Sequence, residues 1–210
     1  MPVLSTLIFK VVNGRAKAAT AQVKEMEQLA SDLGARNQVA ARVLTGEGVG
    51  GLQLRIFADD VVHAGEISAG MYGSEFYSQL SEDINPPAEM VNVIRSNVLH
   101  LAAPRIEPDE ELSLMTVLGI QPHPGKADEL ESRLGEWADL WVEGGARTSF
   151  VTSSFSGTPG PAVFVTSVYK DWAAWSGALE HSRKSALWRT LRESSTTSGT
   201  IMGNFQLGRV

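Results

Sequence analysis

The chain has 210 residues, a formal net charge of −6 and a pI near 5.3, with 43% hydrophobic residues, enough for one large or two small packed cores. That charge argues against nucleic acid and anionic membrane as main partners, because neither is drawn to an acidic surface. The sequence has no cysteine, which excludes disulfides, thiolate catalysis and zinc–thiolate sites.

Residues 4–12 have the length and β-branched content of a strand, and Asn13-Gly14 breaks it. A helix is expected over 15–33, where Ala19, Val23, Met26, Ala30 and Leu33 recur at the spacing of one buried face, and Gly34 supplies its stop. Residues 38–44 and 52–57 read as strands joined by the glycine-rich turn 46–51. That turn superficially resembles a phosphate-binding loop, but a strand follows it where a nucleotide fingerprint needs a helix. Asp59-Asp60 can cap a segment over 61–80 that contains Gly65, Gly70 and Gly73, so an interrupted helix is expected there. After Asn85-Pro86-Pro87 a strand over 91–101 closes a β-α-β-β-α-β unit, the ferredoxin-like order.

The prolines and acids of 104–111 read as an exposed linker. The same order then returns. Strands are expected at 114–121, 149–155, 162–169 and 199–207, with a helix carrying Leu130, Leu134, Trp137 and Trp141 and another over 171–193. A fixed offset of 111 carries Gly34-Ala35-Arg36 onto Gly145-Ala146-Arg147, Gly14 onto Gly125, Gly46 onto Gly157 and Asp60 onto Asp171. It also carries Ala19, Val23, Met26 and Ala30 onto Leu130, Leu134, Trp137 and Trp141, so the buried register repeats with the glycines. The expectation is an α+β chain of two tandem ferredoxin-like domains, 1–103 and 112–210. A four-stranded sheet with helices on one face leaves the other face bare, and two such faces laid together close a barrel.

This arrangement resembles the dimeric α+β barrel superfamily with two protomers fused, and in particular its antibiotic-biosynthesis-monooxygenase-like branch. The carrying residues are Tyr169-Lys170-Asp171-Trp172, Trp175, Leu179-Glu180-His181-Ser182 and Leu187-Trp188. The first half departs from them, with Gly70 where the second has His181. The resemblance implies a cofactor-independent oxygenase acting in the barrel on a hydrophobic acidic or enolic substrate. It leaves two alternatives: a non-catalytic ligand-binding or assembly module, and a haem-binding or haem-degrading protein. For haem degradation Trp172 and His181 match, whereas the first strands lack the expected asparagine.

His181 is the catalytic candidate, as general base, haem ligand or hydrogen-bond donor to a bound carbonyl. The other reading is a half-exposed helix residue beside Glu180 and Arg183. Strand alternation puts Arg42 on a face with Ala40, and Arg55 on a face with Gln53 and Phe57. The adjoining strands could bring both guanidiniums together as a substrate clamp, or leave them on exposed strand ends. Tyr169 and Trp172 are further substrate-binding candidates, while the other tryptophans read as core. His63, His100 and His123 lack acidic or histidine neighbours at ligand spacing, so no metal and no cofactor is expected. No apolar run approaches the ~20 residues that span a bilayer, and residues 1–10 lack the features of a signal peptide. A cytoplasmic monomer or further homodimer that binds a small molecule is therefore expected.

Overall fold

The computed structural model describes residues 1–83, 85–102, 113–157 and 160–210, with the side chains of 191–196 left aside. The segment read as a linker, 104–111, lies outside them. The first half runs β1 (Val3–Val11), α1 (Ala16–Asp32), β2 (Asn37–Thr45), β3 (Leu52–Ala58), α2 (Val61–Tyr72), α3 (Glu75–Glu82) and β4 (Ala88–Leu101). The second runs β5 (Leu114–Pro122), α4 (Ala127–Glu143), β6 (Thr148–Ser156), β7 (Val163–Tyr169), α5 (Trp172–Lys184), α6 (Ala186–Ser198) and β8 (Gly199–Arg209).

The helices form where the apolar spacing called for them. α1 buries Ala19, Val23, Met26 and Ala30 as expected, and Gln22 joins them through hydrogen bonds to the Ala88 backbone. α4 buries Leu130, Leu134, Trp137 and Trp141 on the matching face. The interruption expected over 61–80 falls between α2 and α3, and the single helix expected over 171–193 is broken as well, between α5 and α6. Ser74 and Ser185, 111 apart, start new helices by accepting backbone N–H bonds from Tyr77 and Leu187. Serine does this because its hydroxyl satisfies an N–H that the first turn leaves free.

Asp60 and Asp171 cap α2 and α5, accepting from the backbone N–H of His63 and Ala174. The bond from His63 holds the Asp60 carboxyl below its usual 3.8. A depressed folded-state value means the cap stabilises above the unfolded pKa and fades as pH falls through the folded one. Asp60→Ala is therefore expected to lower the melting temperature at pH 7, followed by circular dichroism. The gap to the parent chain should narrow as the pH falls below about 4 and close below the folded-state pKa.

All eight strands close into one antiparallel barrel in the order β1-β3-β2-β8-β5-β7-β6-β4, and β4 returns to β1. The halves meet at two seams, β2 with β8 and β4 with β6. Each seam has a glycine at its hairpin. Gly46 (φ +87°) lies against Asn204 and Phe205, and Gly157 (φ +88°) lies against Val93 and Ile94.

Alternation along the strands separates two environments. One set of side chains faces the helices, building Val3, Leu7, Phe9, Leu52, Leu54 and Ile56 against α1 and α2, and Val151, Val163, Val165 and Tyr169 against α4 and α5. The other set faces inward, where Ala41, Val43, Met115, Val117 and Leu207 pack with Val39, Phe164, Val168 and Phe205. Each sheet's bare face is thus covered by the other. Among the described residues no helix is long and apolar enough to cross a membrane.

Candidate functional site

The strand register separates the two arginines read as a clamp. Arg42 pairs with Leu52, which faces the helices, and Arg55 pairs with Val39, which faces the barrel. Directly opposed residues share a face, so the two guanidiniums point to opposite sides of the sheet. The expected convergence is corrected accordingly. Arg42 donates to Thr20 Oγ1 of α1 (2.8 Å) at the rim of the barrel mouth. Arg55 is 4% exposed inside the barrel, donates Nη2 to Thr166 Oγ1 (2.9 Å) and lies 5.7 Å from the Phe150 ring centroid.

The other candidates lie outside the barrel. His181 sits on the exposed side of α5, its Cβ beside Gly144 at the end of α4. Its expected place against a barrel-bound substrate is corrected by this outward position. Tyr169 is fully buried, but it faces α4, edge-on to Trp141 at 6.2 Å, and burial holds its phenol above the usual range. Trp172, half exposed at the start of α5, stacks edge-on with Trp175. The structure brings none of these five side chains together.

The helix–sheet layer differs sharply between the halves. In the second half Trp137, Trp188, Trp141 and Tyr169 form a continuous chain of edge-to-face contacts, at 5.5, 5.9 and 6.2 Å between centroids. The positions 111 earlier are Met26, Tyr77, Ala30 and Ala58, three of them much smaller. That loss of volume opens a crevice beneath α1, α2 and α3.

Its inner part, about 20 Å³, is lined by Leu7, Met26, Ile56, Ile67, Met71 and Val93, with Ser5, Ser68, Tyr72, Tyr77 and Arg95 as polar groups. An outer hollow of about 270 Å³, lined by Gln22, Leu80, Pro86 and Met90, shares Met26 and Tyr77 as walls. Arg95 donates to Ser68 Oγ (3.3 Å) and makes no ion pair among the described residues. Burial, and then the neighbouring Tyr72, raise the Tyr77 pKa, so its phenol stays protonated and able to donate. An unpaired cation and a neutral phenol at the end of an apolar slot suit an oxyanion on a hydrophobic molecule.

Sequence reasoning passed over Ser68, Tyr77 and Arg95. The signal was present: all five tryptophans fall in the second half, so the offset of 111 exchanges bulk for space in the first. Haem, one cofactor the resemblance implies, does not fit beside His181. Trp137, Trp141 and Trp188 already occupy that layer, and the imidazole faces away from it. Among the described residues, no three His, Asp or Glu side chains gather as a metal site would require.

No family model matches the sequence, and no curated protein matches it. Solved structures do. An anthrone oxidase-like protein superposes with a TM-score of 0.67 at 14% identity, over 100% of this chain and 91% of that one. A provisionally named monooxygenase of Fusobacterium nucleatum subsp. nucleatum gives 0.71 at 11% identity, over 99% and 92%. A chlorite dismutase mutant from Candidatus Nitrospira defluvii gives 0.58 at 7% identity, over 100% and 91%. These neighbours are dimeric α+β barrel proteins, and this chain has their fold.

Proposed function

We propose that the chain is a fused pair of ferredoxin-like units, 1–103 and 112–210, and a monooxygenase-like enzyme for a hydrophobic acidic or enolic small molecule. The sequence reading put that substrate in the barrel; the crevice of the first half suits it better. The observation that carries this reading is the unpaired Arg95 beside Tyr77, in the one helix–sheet layer that aromatic side chains leave open.

The chemistry then belongs mainly to the substrate. An activated CH₂ conjugated with a carbonyl loses one proton to solvent, and the resulting enolate oxygen is held by the Arg95 guanidinium and the Tyr77 hydroxyl. The carbanion gives its electrons to dioxygen, a hydroperoxide forms at that carbon, and loss of water leaves a ketone. Dioxygen thus supplies one atom to the product and one to water. Stabilising the enolate oxygen with preplaced hydrogen-bond donors is the protein's contribution. The inner slot, with room for about one water molecule, admits only the enolate oxygen, and the ring system lies in the outer hollow that Met26 and Tyr77 also wall.

The test is oxygen uptake with anthrone as probe, a likeness suggested by one neighbour's name. Catalysed uptake is expected, and Arg95→Met should lower kcat by about 100-fold, the scale for removing one oxyanion donor. Saturable binding without oxygen uptake would support the non-catalytic ligand-binding alternative instead.

A further inference from the structure

We propose that the barrel interior is a second ligand site, independent of the crevice, that takes an amphiphilic monocarboxylate with its head on Arg55 and its tail in the barrel mouth. Arg55 and Thr166 are 111 residues apart in sequence and touch each other inside the barrel. In an assembly of two identical chains such a position would set two like charges face to face. On one chain the two positions can differ, and here one is a cation and the other a hydroxyl.

The cation is left incomplete. Nε and Nη1 of Arg55 have no hydrogen-bond partner among the described residues. The flanking side chains on the inner face are Thr6 and Val39 by register, with Phe150 and Thr166 across from them, and none is a carboxylate. A guanidinium removed from water with only one of its nitrogens bonded is costly, and desolvation pushes its pKa down to about 10. A single negative charge offsets a single positive one, so a monoanion matches the site better than a phosphate dianion.

An apolar hollow for the tail lies on the same inner face. A cleft of about 840 Å³ opens at the mouth beside the 46–51 hairpin, walled by Ile8, Val43, Ile94, Phe164 and Phe205. Gln53 lines this cleft and stands two residues from Arg55 on the same side of β3, roughly 7 Å along the strand. Apolar walls above a buried cation form a binding pattern for a fatty or aryl carboxylate.

The probe is octanoate, with octanol as its uncharged counterpart and acetate as its tailless one. Isothermal calorimetry on the unaltered chain is expected to show saturable octanoate binding at one per chain, with octanol and acetate at least about ten-fold weaker, as loss of a charged hydrogen bond or of the buried tail implies. Arg55→Met should weaken octanoate by a similar factor, whereas Met26→Trp, which fills the crevice, should leave it unchanged. Equal binding of octanol, or of acetate, overturns the proposal on the unaltered protein even if Arg55→Met fails to fold. Loss of octanoate binding in a folded Met26→Trp chain would move the site to the crevice and overturn it too.

Discussion

Gly157→Ala is expected to destabilise the chain by about 3–5 kcal/mol. Two costs combine: a left-handed backbone at φ +88° that a Cβ disfavours, and a Cβ that would collide with the Val93 carbonyl oxygen. That carbonyl belongs to the other half of the barrel, across the β4–β6 seam, so the strand itself must move. For a chain of this size the loss corresponds to a fall of about 10 °C in melting temperature. Gly46→Ala strains the other seam against Asn204 in the same way, though its closest approach is a less severe 2.7 Å. Circular dichroism melts of the two variants should rank them in that order. A Gly157→Ala chain that melts within a degree or two of the parent would mean the seam is not formed as described.

Met26→Trp is expected to abolish anthrone turnover while leaving a folded barrel. It copies into the first half the residue found 111 positions later, Trp137, and places an indole where the inner slot lies. The overpacking cost is about 1–3 kcal/mol, which a domain of ordinary stability survives. The effect on activity should therefore exceed that of Arg95→Met, which removes one donor and keeps the space. Steady-state oxygen uptake with anthrone, alongside a melt to verify folding, checks both points. Turnover unchanged in a folded Met26→Trp chain would place the chemistry elsewhere.

The fold was legible in the sequence for a physical reason. Helix faces have a period that survives substitution, so Ala19, Val23, Met26 and Ala30 announced α1, and the same spacing announced α4. Caps and stops were legible too, because Asp60 and Gly34 do local work that few residues can replace. The helix break at Ser185 was harder to see. A serine inside a periodic stretch gives no hint of whether its hydroxyl caps a new helix or points to solvent.

The site was less legible because strand alternation fixes faces only relative to one another. Arg42 and Arg55 were each assigned correctly to a face of their own strand, but which faces coincide depends on hairpin register, set here by the 46–51 loop. His181 drew attention as a lone mid-helix imidazole, and its exposure depends on how α5 rotates against α4 at Gly144. The crevice depended on a comparison of volumes between the halves, which residue chemistry alone does not suggest.

The most direct measurement is an anaerobic titration of the chain with anthrone by isothermal calorimetry, run in parallel on Met26→Trp. One site per chain, lost in the folded variant, is the result expected of a single open crevice in the first half. Two equivalent sites, or one site that Met26→Trp leaves intact, would contradict it.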